Sequence, residues 1–258
     1  MALFKFVDYN NYSKTWINTK TSGNHFAHDY LEKPAMVAKL PDLKSLSVLV
    51  LGCGSGEELS EIIKLKPSKI VAVDSSKELI ETAKFSYEQI EFLVSKIEDL
   101  EFENQAFDYI FSSLTFHYIQ DWQLLFQNQY NWLTPGGKVL FSTHHPIKWG
   151  AMATKNTEFN EFILGYKKHK KDASKYQIFG DYLSFQKINY KLFNKLDITY
   201  YNRSISQMFR EITTSSLQII DFLEPKPTPE SKTIKPDFYE VYSKIPLFLI
   251  FEILKPKI

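Results

Sequence analysis

From Ser47 onward, short runs of aliphatic and β-branched residues alternate with longer stretches in which apolar residues recur every three or four positions. That rhythm predicts a sheet of mostly parallel strands with helices on both faces. Val48-Leu49-Val50-Leu51 is apolar at every position, the pattern of a strand buried on both sides. A helix is expected over 57–65, stopped near Pro67, followed by a strand Ile70–Val73 that ends at Asp74. A serine oxygen can accept an orphan amide, so Ser75 or Ser76 should start the next helix, which runs to about Phe85. Strands are expected at Ile90–Val94 and Phe107–Phe111, then a helix at Trp122–Trp132. Leu133-Thr134-Pro135-Gly136-Gly137 reads as a stop and turn before a strand at Val139–Ser142.

After Pro146 the rhythm changes. Residues 148–203 mix basic, aromatic and polar side chains without strand–helix alternation, and read as an inserted cap with hairpin strands at Tyr182–Phe193 and Ile198–Tyr201. The alternation returns with a helix at Ser204–Thr213 and strands at Leu217–Leu223 and Pro246–Leu254. Residues 1–46 read as an N-terminal helical segment, clearest at Leu31–Leu40, where Pro34 is tolerated in the first turn. One domain over residues 1–258 is expected.

Composition narrows the chemistry. Lys+Arg 31 against Asp+Glu 30 leaves a formal charge of +1, which argues against a protein that binds by neutralising polyanions. Arg203 and Arg210 are the only arginines, although arginine is the preferred bidentate reader of phosphates and guanines. No nucleic-acid partner is expected. Cys53 is the single cysteine and cannot form an internal disulfide, which suits a reducing cytoplasm. Lys5 and Asp8 interrupt any apolar core of a signal peptide, and Leu247–Phe251 is far short of the ~20 residues that span a bilayer. The expectation is a soluble cytoplasmic protein with no membrane partner; the sequence does not speak to its oligomeric state.

The strongest chemical signal is Gly52-Cys53-Gly54-Ser55-Gly56-Glu57, a glycine turn between the first strand and its helix. Glycines permit positive φ and let a ligand approach the backbone, and this place at a strand's carboxyl end is where doubly wound sheets bind ligands. The bland alternative is a tight turn and nothing more. A dinucleotide turn wants G-x-G-x-x-G, but Glu57 occupies the position of its last glycine and Glu58 follows, so a pyrophosphate would be repelled. A ligand with a cationic amino-acid end would not be. Asp74 stands at the end of the second strand, 18 residues beyond Gly56, where a carboxylate can accept ribose hydroxyls or merely cap the next helix.

With these residues in place, the chain resembles the class I S-adenosylmethionine-dependent methyltransferases, of the small-molecule type similar to those of ubiquinone and menaquinone biosynthesis. Val48 to Gly56 matches the family's first motif and Asp74 its ribose acid; Phe107 to His117 is similar to its fourth-strand segment. Leu133-Thr134-Pro135-Gly136-Gly137 matches the segment before its fifth strand, while Glu32-Lys33-Pro34-Ala35, His145-Pro146-Ile147 and Ile245 to Leu249 resemble a subgroup capped after strand five. The resemblance implies a doubly wound, Rossmann-like α/β sheet, mostly parallel with an antiparallel last strand, plus the cap. It implies S-adenosylmethionine as cofactor, a small-molecule methyl acceptor with an O, N or C nucleophile, and no metal. Cofactor contacts are then expected from Gly52, Cys53, Gly54, Ser55 and Gly56, from Asp74, Ser75 and Ser76, from Lys96, Ile97 and Glu98, and from Ser113 and Leu114, with Tyr12 and Trp16 closing over it.

Lys96 departs from the pattern. It stands where the family usually has an aspartate for the adenine amino group, and a lysine cannot accept that bond. Glu98, Asp99 or the Ile97 backbone remain as substitutes. His117, after strand four, and His145 are the candidate catalytic residues, set among apolar walls from Leu114, Phe116, Tyr118 and Trp149. Adjacent strand residues face opposite sides, so only one of His144 and His145 can line a pocket, and His145, followed by Pro146, is the expected one. For the same reason the two do not make a metal site. The run Lys167-Lys168-His169-Lys170-Lys171 reads as a solvated face. Two other readings stay open: a nucleic-acid methyltransferase, disfavoured because Ser112-Ser113-Leu114-Thr115 replaces the Asp/Asn-Pro-Pro-Tyr of base-amino methylation, and a catalytically silent cofactor-binding domain.

Overall fold

The computed structural model describes residues 25–147, 159–163, 166–169, 171–172, 174–178, 180–192 and 196–257. Tyr12, Trp16 and Trp149 lie outside them.

A π-helical turn at His28–Glu32 leads into α1 (Lys33–Ala38), with Pro34 in its first turn as the sequence predicts. The alternating core follows: β1 (Ser47–Leu51), α2 (Leu59–Lys64), β2 (Lys69–Asp74), α3 (Lys77–Ser86), β3 (Glu91–Val94), β4 (Phe107–Ser112), α4 (Trp122–Trp132) and β5 (Leu133–His144). Between β5 and the last part of the chain lie β6 (Phe159–Ile163), β7 (Tyr166–His169) and β8 (Tyr176–Ile178), an antiparallel three-stranded sheet, and a hairpin of β9 (Gln186–Leu192) and β10 (Leu196–Asn202). The chain ends in α5 (Ile205–Thr214), β11 (Gln218–Leu223), α6 (Pro229–Ile234), α7 (Pro236–Tyr242) and β12 (Phe248–Leu254).

The main sheet has seven strands in the order β11-β12-β5-β4-β1-β2-β3. β1 pairs in parallel with β2 and β4, β2 with β3, and β4 with β5, while β12 runs antiparallel between β5 and β11. This is the doubly wound sheet with an antiparallel last strand that was expected.

Period-two alternation divides its side chains between two cores. Leu49, Leu51, Val71, Val73, Phe141 and Phe251 pack on one face with Trp122, Phe126, Met208 and Ile212. Val48, Val50, Ala72, Phe111, Leu140 and Ile250 pack on the other with Met36, Leu59, Ile62 and Ile80.

Three details differ from expectation. The glycine turn runs on to Glu58, so α2 begins at Leu59. The Leu133–Gly137 segment is no separate turn but the start of β5, absorbed by a register shift against β4; Gly136, at φ 86°, donates its amide to the Lys255 carbonyl. The helices α6 and α7 have no counterpart in the predicted pattern, although each carries proline in its first turn, a start signal.

Candidate active site

The carboxyl ends of β1, β2, β4 and β5 lie on one edge of the sheet, and the glycine turn, Asp74, Ser113 and Leu114 stand there. Gly52 and Gly54 have positive φ, 70° and 54°, so the chain turns sharply out of β1. A Cβ on Gly52 would lie 2.1 Å from the Thr115 hydroxyl, which means the loop after β4 packs directly onto this backbone. A Cβ on Gly54 would meet only the end of the Glu57 side chain, leaving that part of the turn open. Ser55 turns its hydroxyl to the Glu57 carboxylate at 2.7 Å, and Lys33 donates to the Glu57 carbonyl at 2.6 Å. Cys53 is buried behind the turn, where burial and the Asp74 charge hold its thiol well above the usual range.

Asp74 ties β2 to the turn. Its two carboxylate oxygens accept the amides of Gly54 and Ser76, each at 2.9 Å. The cap of α3 is Ser76, whose hydroxyl accepts the Leu79 amide at 3.3 Å, so Asp74 is not spent on capping that helix. Burial raises the Asp74 pKa, opposed by the amides of Ser76, Gly54 and Ser75. Ser75 is exposed beside it. Lys96 and Glu98 are exposed at the start of a 3-10 turn, and Ile97 is buried between them.

At the end of β4, Ser113 donates to Glu32 Oε1 at 2.9 Å, and Leu114, at φ 45°, donates its amide to the Ser142 hydroxyl at 2.8 Å. Ser142 in turn donates to Glu32 Oε1 at 2.5 Å. Glu32 is wholly buried, and His28 lies one turn earlier with Nε2 2.7 Å from Glu58 Oε1. Burial pushes Glu32 up to about 7, against the pull of His28. Burial alone would lower His28, but Glu58 and Glu32 prevail and hold it at about 9.

The histidines change places relative to expectation. His117 is buried in a 3-10 turn, and the ring stacked on it, 3.9 Å away between centroids, is that of His144. Tyr200 of β10 meets both edge-on, at 5.1 and 4.8 Å, so the hairpin covers this corner. His145 points the other way: Nε2 is 2.9 Å from Glu224, and Nδ1 accepts the Ile147 amide at 3.2 Å. β5 ends at His144, so strand alternation does not reach His145; the ring beside His117 is that of His144, where His145 was expected. His144 is the last residue of β5, paired with Phe248, and its ring also lies 6.0 Å from that of Phe248.

The sequence reading passed over the roles of Glu32, His28, Glu58, Ser142 and Tyr200, because each acquires its neighbours only through folding. Among the described residues, no three His, Cys, Asp or Glu side chains are grouped to hold a metal, and no helix is long and apolar enough to cross a membrane.

Residues 49–141 match the family model described as a methyltransferase domain. The chain is 32% identical over 128 residues to an uncharacterized protein of Haemophilus influenzae, covering 46% of this chain and 50% of that one. It is 40% identical over 103 residues to malonyl-[acyl-carrier protein] O-methyltransferase 1 of Ilyobacter polytropus, covering 39% of this chain and 38% of that enzyme. The matches thus span half or less of these relatives' lengths. An S-adenosylmethionine dependent methyltransferase from Mesorhizobium loti superposes with a TM-score of 0.69 at 24% identity, over 86% of this chain and 96% of that one, a likeness of fold.

Proposed function

We propose that the chain, whose residues 49–141 match the methyltransferase-domain model, is a class I S-adenosylmethionine-dependent enzyme that transfers a methyl group from that cofactor to a small-molecule acceptor. The observation that carries the reading is the union of the glycine turn with Asp74 at the carboxyl edge of the sheet. These residues fit the cofactor. A carboxylate offers roughly four acceptor positions. Asp74 uses them for the amides of Gly54, Ser75 and Ser76, which leaves capacity for a ribose hydroxyl. The turn beside Gly54 is open to the amino-acid end, and the buried Ile97 offers an apolar neighbour to the adenine.

When bound, the cofactor supplies an activated sulfonium methyl. The chain's residues then have to align the acceptor and keep water out, and alignment alone can lower a barrier by ~7–11 kcal/mol. His117, His144, Tyr200, Tyr118 and Phe248 make an aromatic corner over the ends of β4 and β5 that suits a small, partly apolar acceptor. A histidine there can take the acceptor's proton. The O-methylation in the Ilyobacter relative's name makes an oxygen nucleophile the first class to try. A cytoplasmic setting and the absence of a nucleic-acid partner belong to the same proposal, supported by the lone cysteine and the scarcity of arginine.

Calorimetry with S-adenosylmethionine, S-adenosylhomocysteine and NAD tests the cofactor; binding of NAD alone would defeat the reading. Labelled methyl incorporation into small-molecule extracts, with DNA and RNA alongside, tests the acceptor. Label on nucleic acid alone would favour the nucleic-acid reading, and binding without any transfer the silent one.

A further inference from the structure

The carboxylate of Glu32 plays no part in the reading above, yet it joins the elements that form the floor of the site. It closes the π-helical turn His28–Glu32, where the Lys33 amide reaches back five residues to the His28 carbonyl. Such turns are rare and recur at functional sites. From there Glu32 Oε1 accepts the hydroxyls of Ser113 and Ser142, and Ser142 holds the Leu114 amide. Leu114 has φ 45°, a left-handed backbone that is costly for a residue bearing a side chain and persists only where its surroundings impose it. On the other side, Glu32 Oε2 lies 3.5 Å from His28 Nε2, which is itself 2.7 Å from Glu58, the residue before α2.

We propose that Glu32 is a positioning residue for methyl transfer: through Ser113 and Ser142 it holds the Leu114 turn in the shape the cofactor rests on, and through His28 and Glu58 it ties that turn to the glycine loop. The inference rests on the methyltransferase reading. The titratable groups that face Glu32 are His28, from its own turn, and Glu58, from the glycine loop; Asp29 touches the far side of His28. Burial places the Glu32 carboxyl in the neutral range. Ionised, it makes stronger, charge-assisted bonds to the two serine hydroxyls. The two serine bonds that hold the Leu114 turn are therefore stronger above neutrality than below it, even though burying the charge costs the fold as a whole.

The test is titration of S-adenosylhomocysteine into the full chain between pH 6 and 8, for the wild type, Glu32→Gln, Glu32→Ala, Ser142→Ala and the Glu32→Ala/Ser142→Ala pair. Glutamine keeps an acceptor oxygen but cannot ionise. Its affinity should stay within about threefold of the wild type at pH 6 and should lack the wild type's rise toward pH 8. Each alanine variant should lose about tenfold or more, and the pair no more than the worse single variant, since all act through one relay. A folded Glu32→Ala with wild-type affinity overturns the proposal. So does a Glu32→Gln that retains the wild-type pH profile, or an additive loss in the pair. Should Glu32→Ala fail to fold, the Glu32→Gln profile and Ser142→Ala still decide. A wild type that binds at no pH overturns the methyltransferase reading and this one with it; unaltered binding in all variants overturns this one alone.

Discussion

The ring of His117 lies nearly parallel on that of His144, with centroids 3.9 Å apart and 14° between planes. Two unit charges at about 4 Å repel by ~4 kcal/mol at an effective dielectric near 20. That repulsion opposes a charge on both rings at once. Tyr200 walls the pair from the hairpin side and Phe248 lies against His144.

The two adjacent histidines should accordingly separate in function. His117→Ala and His144→Ala should each lower kcat, by roughly 100-fold where proton removal is required, and leave S-adenosylhomocysteine affinity unchanged. His145, with both ring nitrogens engaged by Glu224 and the Ile147 amide, should chiefly affect stability when replaced. Steady-state kinetics on an identified acceptor decide it. Equal losses of kcat in His144→Ala and His145→Ala would remove the distinction.

Asp74→Ala should weaken S-adenosylhomocysteine binding by about 1.5–3 kcal/mol, the range for a hydrogen bond to a charged group. Because Asp74 also anchors the Gly54 amide, part of the loss could come from a loosened turn, and Asp74→Asn addresses that by keeping one acceptor oxygen. An Asn variant that recovers the melting temperature but not the affinity would assign the loss to the ligand. Wild-type affinity in a folded Asp74→Ala would end the ribose assignment.

Gly52→Ala should destabilise the chain by about 1–3 kcal/mol or more, because the new Cβ would stand 2.1 Å from the Thr115 hydroxyl at a φ of 70°. Thr115→Ala should recover only part of this, since the Thr115 Cβ itself would remain 2.8 Å away. Urea unfolding of the single and double variants measures both; a Gly52→Ala chain as stable as the wild type would mean that the β4 loop yields.

The pH dependence of stability follows from two groups. Glu32 is raised from an ordinary 4.5 to about 7, so the folded chain holds that proton more tightly and loses stability as pH climbs between these values. His28 is raised from 6.5 to about 9, so its contribution is complete below 6.5 and disappears as pH rises through 9. Glu32→Gln should flatten the lower limb of the urea midpoint against pH, and His28→Gln the upper one. A wild-type lower limb in Glu32→Gln would show that other carboxyls produce it.

Much of this was legible in the sequence, because its signals are local. A strand apolar at every position, a glycine turn and an acid at the next strand end state the sheet and the place of Asp74 beside that turn without knowledge of distant contacts. The pairing of His117 with His144 was not legible: alternation said only that the two adjacent histidines face opposite ways, and which ring meets His117 depends on contacts between segments distant in the chain. Glu32 was visible as part of a family-like segment, but its role depends on Ser113 and Ser142, 81 and 110 residues away. Arg203 served in the sequence only as one of two arginines, an argument about partners, while its real place is inside the fold.

That place leads to the last prediction. Arg203 follows β10, wholly buried, with its guanidinium 4.8 Å from the Trp122 ring and 4.9 Å from Phe185. It donates to Glu211 at 2.7 Å, to the Ile119 carbonyl at 3.1 Å and to that of Gln120. One side chain thus fastens the β9–β10 hairpin to α5 and to the loop that carries His117. Lysine keeps the charge but has neither the planar fork nor the stacking face, so Arg203→Lys is not conservative here. Removing one partner of a buried ion pair typically costs about 3–5 kcal/mol. Arg203→Ala should approach that figure, and Arg203→Lys should lie between it and the wild type by urea unfolding. Tyr200 belongs to the same hairpin, so loosening it should open the aromatic corner while the glycine turn and Asp74 stay in place. In Arg203→Lys at a temperature where it remains folded, KM for the acceptor should therefore rise several-fold more than the cofactor dissociation constant. Equal changes in the two would mean that the hairpin supports the whole sheet edge rather than the acceptor's side of it.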